Sequence, residues 1–539
     1  MAIGIIRTGL SKEALYTLDT ILSSIGFLYH FVEEPKNEAL IINYGDYLRW
    51  LEGYVKDGGA VLNIYPSLDK FANLKVCPTT PNFLYPGKIP FFFGYKPISD
   101  GKPLYTIDQK YPVISQLAKG KGYIINVGVD PICETFFFIS RIEELQNAVR
   151  DEFGRFPTNS MFVHKKDLTK RLIVHEHLNL LSNLITHIYR LTHKPLLKKD
   201  EWPNGKRYAC ALTHDVDFMR RWRFKSTIKG IFTGKATEAL ASFLRFKKDR
   251  WWNFDTILEI EGKRGVKSTF FFMPCSPNYK LNKQLLIKLE SEGYEIGLHS
   301  TSPSDVKLLS KERTMLETVL GREVSGVRQH YLKIDIPTTY RIIDELKFSY
   351  DTTLGFTDLV GFRASFSLPY HPYDPYGSQS FSFLELPLTI MDSALFTEVA
   401  PPQAKQVIKE LIETIKRHKG LLITLWHQRV FNKQEFPLWG DIYKYVLDNI
   451  SDAWVTRCQD VAEWWLKRES LRMDESTKDL YVCYSNRDIE RLYFSVIGKV
   501  KSIAADGTTI SSCKETEGGA LFILSNIPKG KIAIKLTQF

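Results

Sequence analysis

A chain of 539 residues with 44% hydrophobic and 25% charged residues has an ordinary globular composition, which excludes wholesale disorder and fibrous or collagen-like classes. At roughly 150 residues per domain, that length suggests about three or four domains. Lys and Arg outnumber Asp and Glu by 72 to 61, leaving a net charge of +11 as the one unusual bulk property.

No run of about 18 apolar residues suggests a membrane-spanning helix. The opening MAIGIIRTGLSKEALYTL places Arg7 and Lys12 after an apolar start, the reverse of a secretory signal. The seven cysteines are scattered without a CxxC pair. That spacing argues against a disulfide framework or a Cys-rich zinc site and for a reducing, cytoplasmic compartment.

Residues 1–165 read as an α/β domain. A helical period over 14–28 precedes the strand-like ALIINYG (39–45), and YLRWLEGYVKDGG leads into AVLNIYP (60–66). KGYIINVGVD (121–130) looks like another buried strand. β-branched runs alternating with helices predict a parallel sheet, and the unit resembles flavodoxin-like or class I amidotransferase-like folds. It shows no nucleophile elbow or phosphate loop, so no chemistry is assigned to it.

Residues 166–206 are expected to be a helical linker. Its histidines read as packing residues, because His175 and His177, two apart, point to different helix faces. From 207 to 473 strand candidates recur between helical stretches: 207–213, 266–273, 294–298, 324–329, 382–388, 421–426 and 452–456. That order predicts a central (β/α) barrel, complete or incomplete. Residues 474–539 are short β-prone runs between Gly, Asp, Asn and Pro turns, a small all-β domain.

In such barrels catalytic groups sit at the C-terminal ends of strands. Four predicted strand ends deliver Asp215 and Asp217, then His299, then Arg328 with His330 and Tyr331, and finally His427. Asp also suits turns and helix caps, and a single Arg or His could be structural. The convergence of all of them on one rim is harder to dismiss. His371, in PYHPYDPYG, belongs to an aromatic loop that lines the cleft or packs.

This set resembles the polysaccharide deacetylases of the NodB-homology class, carbohydrate esterase family 4, over about half the chain. Thr213-His214-Asp215-Val216-Asp217 looks like a spaced variant of the family's first motif, TFDDG. His299-Ser300-Thr301-Ser302-Pro303 is half of its HSxxH, and Leu425-Trp426-His427 matches its LxH. The resemblance implies that Asp215 is the general base, Asp217 and His299 are metal ligands and Arg328 orients the base. It further implies that the Tyr331 backbone N–H is an oxyanion donor and His427 the general acid.

The chemistry is coherent without the family name. Amide hydrolysis at neutral pH needs an activated water, and a divalent metal lowers water's pKa from 15.7 to about 7. A carboxylate with imidazoles suits Zn2+ first, with Co2+, Ni2+ or Mn2+ as alternatives. One departure is serious: the family's second metal His falls on Pro303, which cannot ligate. His330 is the leading replacement, two residues past Arg328. Asp305 and no third protein ligand are the alternatives.

The basic surplus concentrates in an insertion at 220–250, where ten Lys/Arg face two acids, Glu238 and Asp249, with aromatics interleaved. Such a segment can lie on an anionic membrane face or take phosphate or carboxylate groups; its plainer reading is a solvated helical excursion. No nucleic-acid motif accompanies it, so no nucleic-acid partner is expected. The expected function is metal-dependent removal of an N-acetyl group, less readily an O-acetyl group, from a sugar or glycan intermediate. The substrate is phosphate- or lipid-linked in the version that uses the basic insertion, which also puts the protein at the inner face of the membrane. The competing expectations are a non-catalytic carbohydrate-binding protein on a degenerate deacetylase scaffold, motivated by Pro303, and an interaction protein docked through the insertion.

Overall fold

In the computed structural model, residues 2–66, 82–219, 249–274, 281–477 and 479–538 are described. The basic insertion therefore lies outside the described residues except for Asp249 and Arg250. Among the described residues no helix is long and apolar enough to cross a membrane.

The runs IGII, LIINY, AVLNI and GYIINV are apolar nearly throughout, as strands buried on both faces require. They form β1 (Ile3–Ile6), β3 (Leu40–Tyr44), β4 (Ala60–Ile64) and β9 (Gly122–Val127), joined at one edge by β2 (Tyr29–Val32). The parallel order β2-β1-β3-β4-β9 is that of flavodoxin-like sheets. Beyond β9 the sheet turns antiparallel. It continues through β8 (Tyr111–Lys119), β7 (Lys102–Ile107), β5 (Asn82–Tyr85) and β6 (Ile89–Phe91). Sequence reading missed β1, four residues at the chain start with too little length to show a period.

Ser11 caps the helix Lys12–Ile25 by accepting from the Ala14 N–H, and Gly26 ends it in a left-handed conformation. A Cβ at Gly26 would meet the Lys199 carbonyl at 2.1 Å, because β10 (Leu196–Lys199) crosses there. The helix Ile173–Leu191 packs on the helices Lys12–Ile25 and Pro131–Ser140. His175 and His177 are buried in it, His175 Nε2 meeting the Ser367 hydroxyl at 3.0 Å.

The barrel strands are β11 (Ala209–Val216), β12 (Thr269–Phe272), β13 (Glu295–Ser300), β14 (Gly326–Gln329) and β15 (Tyr350–Asp351). A small hairpin, β16 (Tyr373–Asp374) with β17 (Gln379–Ser380), interrupts them. β18 (Leu384–Glu385), β19 (Ile390–Met391), β20 (Leu421–Leu425) and β21 (Trp454–Thr456) follow. All pairings run parallel in the order β18-β15-β14-β13-β12-β11-β20-β19, with β21 also on β11. The two ends of that order, β18 and β19, belong to one continuous stretch, 384–391. The circle is thus closed through the chain itself, with amphipathic helices such as Val306–Leu320 and Pro401–His418 outside. β15 and β19 escaped sequence reading because two-residue strands carry no period.

The C-terminal runs build two four-stranded antiparallel sheets. One is β22 (Leu471–Ser476), β23 (Leu480–Ser485), β28 (Gly530–Thr537) and β25 (Ser502–Asp506). The other contains β24 (Ile489–Ile497), β27 (Gly519–Ile527) and β26 (Thr509–Thr516), with β10 as its edge. His371 lies where the N-terminal unit meets the barrel. Its Nε2 sits 3.0 Å from Glu469, and its carbonyl accepts from the Tyr16 hydroxyl at 2.7 Å. It packs there.

A buried ion triad ties the N-terminal unit to the barrel. Glu144 accepts from Arg141 Nε at 2.9 Å and from Arg363 Nη2 at 2.8 Å, while Arg141 donates to the Arg363 carbonyl. Removing one partner strands buried charge, so Glu144→Ala is expected to cost about 3–5 kcal/mol of stability in denaturant titration.

Glu134 makes a pH-dependent contribution. Its Oε1 accepts from the Phe92 and Phe93 N–H groups, but among the described residues its Oε2 has no hydrogen-bond partner and lies 3.5 Å from His177 Nε2. Burial pushes this carboxyl up to about 8, and burial brings His177 down to about 3. The folded protein thus keeps a proton on Glu134 that the unfolded chain releases above pH 4.5. Stability from this group is full below that pH and falls as pH rises toward 8. Melting curves at pH 5 and pH 8 should show wild type losing ground to Glu134→Gln, by on the order of a few kcal/mol.

Candidate metal centre

Alternation along the strands decides what faces the barrel axis. On β11, Thr213 and Asp215 point inward, and Asp217 continues that face just past the strand. His214 points out, its Nε2 2.8 Å from Glu261 and its Nδ1 2.7 Å from the Trp426 carbonyl. On β13 and β14, His299 and Arg328 are register neighbours, and His330 follows Arg328 by two. Gly297 makes room one layer below His299, since a Cβ there would lie 2.6 Å from the Phe271 ring.

Asp217, His299 and His330 bring one carboxylate oxygen and two imidazole nitrogens within 4.8 Å of one another. Asp217 Oδ1 lies 3.2 Å from His299 Nε2 and 3.7 Å from His330 Nε2. His299 Nδ1 is 3.0 Å from the Arg328 carbonyl. A carbonyl only accepts, so the proton sits on Nδ1, which leaves Nε2 to face Asp217. With that imidazole neutral, Asp217 Oδ1 is buried and receives no hydrogen bond among the described residues. A buried carboxylate oxygen without a donor is costly, and a cation between these three side chains would satisfy it. The donor set, one carboxylate and two imidazoles, fits zinc.

Electrostatics agree with that division for Asp217 and His330, whereas the two carboxylates draw His299 toward its protonated form until a cation takes the proton's place. Burial opposes ionisation of Asp217, but His427, His299 and His330 outweigh it and hold its carboxyl well below the usual range. Burial, followed by the neighbouring His299, brings His330 down to about 4, so its imidazole is neutral at pH 7. For His299 burial again disfavours charge, yet Asp215 and Asp217 prevail and raise it.

Asp215 sits beside this cluster, its Oδ2 3.6 Å from His299 Nε2. Its other oxygen accepts from Arg328 Nη1 at 2.8 Å. Arg328 is completely buried, anchored on the Thr213 hydroxyl and the Thr352 carbonyl, and its guanidinium lies 4.5 Å from the centre of the Phe271 ring. His427 Nε2 lies 3.7 Å from the other Asp217 oxygen, Oδ2. His427 Nδ1 meets Asp392 at 2.8 Å, and the His427 N–H also donates to Asp392. Burial works against charge on His427, but Asp392 and Asp217 overcome it and push the imidazole up to about 9.

Asp392 was not legible as a site residue. It is fully buried and opens the helix Asp392–Glu398 immediately after β19. An acid ending a strand beside the one that carries His427 was the available signal, hidden because β19 has two residues.

Tyr331 adopts a left-handed conformation, φ 60° and ψ 16°, which is strained for an aromatic residue. Among the described residues no acceptor takes its N–H. Asp305 does something else: it caps the helix Val306–Leu320, accepting from the Leu308 N–H at 3.0 Å. Pro303 lies in the turn before that helix.

A family model described as a family of unknown function, DUF7033, matches residues 5–190. No curated protein matches. Among solved structures, one described as a polysaccharide deacetylase from Mycobacterium smegmatis is similar at 20% identity and a TM-score of 0.38, covering 52% of this chain and 96% of that one. Peptidoglycan deacetylase PdaC from Bacillus subtilis aligns at 15% identity and a TM-score of 0.27 over 50% of this chain and 96% of its own. A CE4 family pseudoenzyme from Bacillus anthracis aligns at 16% identity and a TM-score of 0.27 over 48% and 66%. Likenesses this distant say nothing about chemistry.

Proposed function

We propose that this protein is a metal-dependent hydrolase that removes an N-acetyl group, less readily an O-acetyl group, from a sugar or glycan intermediate. The observation that carries this reading is the buried Asp217 Oδ1, which has no donor among the described residues and faces His299 and His330, with Asp215 and His427 beside the cluster. Asp217, His299 and His330 would hold a divalent ion, zinc by the chemistry of the set, and such an ion supplies a water of lowered pKa and positive charge for the amide oxygen.

This chain's own residues do the rest. The Asp215 carboxylate, oriented by Arg328, accepts the proton of the attacking water. The Tyr331 N–H donates to the carbonyl oxygen as it gains charge. His427, kept protonated by Asp392, donates to the departing amine. The products are acetate and a free amino sugar. His330 takes the part that Pro303 cannot, which supports one compensated site rather than a degenerate one.

The carbohydrate-binding alternative keeps one motive, Pro303 itself. Metal analysis of the purified protein together with acetate release from N-acetylated oligosaccharides separates the two. About one divalent ion per chain with acetate formation supports the hydrolase; glycan binding with neither supports the alternative. A phosphate- or lipid-linked substrate at the inner membrane face extends the proposal on the strength of the basic sequence at 220–250.

A further inference from the structure

From the centre outward the rings form a continuous series. His299 meets His330 edge to face with centroids 5.2 Å apart, and His330 lies 3.9 Å from Tyr331. Tyr331 in turn lies 5.4 Å from Phe153, at an interplanar angle of 31°. Phe153 belongs to the N-terminal unit, not to the barrel. Both outer rings are open to solvent, Tyr331 by 58% and Phe153 by 42%.

This exposure is built into the local structure. The loop 151–155 is braced by Asp151, whose Oδ1 accepts from the N–H groups of Phe153 and Arg155 and whose Oδ2 accepts from Arg155 Nε. Arg155 then donates to the Tyr331 carbonyl at 3.2 Å, and its guanidinium lies 4.7 Å from the centre of the Phe153 ring. The N-terminal unit thus grips the same left-handed turn that aims Tyr331 outward. Two adjacent exposed aromatic rings, tilted by 31° to one another and beside a guanidinium, match a pyranose ring, which has an apolar C–H face and a rim of hydroxyl acceptors.

We infer that Phe153 and Tyr331 together form a stacking platform for a second sugar ring of the substrate, adjacent to the ring that carries the acetyl group. The inference rests on the proposed glycan reading of the centre. It makes the N-terminal unit a determinant of oligosaccharide length, and Phe153 a specificity residue rather than a catalytic one.

Calorimetric titration of the full-length protein tests it, using the N-acetylglucosamine monomer and its β-1,4-linked trimer. Phe153→Ala should weaken trimer binding about tenfold or more and leave the monomer as in wild type, while Phe153→Trp retains trimer affinity. An unchanged melting temperature identifies the loss as local. Equal trimer affinity in wild type and Phe153→Ala, or a wild-type trimer affinity no better than that for the monomer, overturns the platform. Acetate release is read separately: a wild-type protein that prefers the trimer yet releases no acetate keeps the platform and sinks the hydrolase.

Discussion

Asp215→Asn is expected to retain its divalent ion and to lose acetate release by about 10²–10⁴-fold, the usual contribution of a positioned acid–base group. The carboxylate is held by Arg328 at 2.8 Å, so the amide keeps the shape but cannot take a proton. Asp217→Ala should behave differently, losing the ion and the activity together, because it removes one of three donors in a set with little redundancy. Paired metal analysis and turnover assays on the two variants discriminate the roles. An Asp215→Asn protein that turns over normally rules out the assigned base, and an Asp217→Ala protein with full metal content rules out the assigned ligand.

The second large effect concerns a residue that sequence reading overlooked. Asp392→Asn should lower kcat by about 10²–10³-fold with metal content and KM close to wild type. The Asp392 carboxylate takes both the Nδ1 proton and the main-chain N–H of His427. An amide in its place can turn its NH2 toward Nδ1, which moves the imidazole proton to Nε2 and removes the charge that favours the protonated ring. His427→Ala in the Asp392→Asn background should add little further loss, because the two residues act as one unit. Fully additive losses would show that Asp392 only stabilises the fold.

The parts of the site that were readable share a physical cause. Asp215 with Asp217, and Arg328 with His330, are spaced by two where strands end, so alternation points each pair to one face even though Asp217 lies one residue past β11 and His330 opens the turn after β14. The long apolar runs around β11, β13 and β20 marked where those strands end. Asp392 and the Arg141–Glu144–Arg363 triad were not readable. The first follows a strand of two residues, and the second joins groups more than two hundred positions apart, for which no local period exists. Phe153 was silent for a similar reason: its partner Tyr331 is brought to it by packing between units. His330, by contrast, was expected near Asp217 and His299 because its strand end adjoins theirs, and the three side chains do come together.

The pairing of β10 with β24 bears on how the chain is made. Leu196–Lys199 leaves the ribosome early and joins Phe494–Ile497, which is synthesised only after the whole barrel. Until then its outer backbone groups remain an open edge beside a finished N-terminal sheet, a point where nascent chains can pair wrongly. A fragment ending at 473 would keep that edge permanently. Anyone isolating the barrel for study is better served by retaining the last sixty or so residues than by trimming them as an appendage.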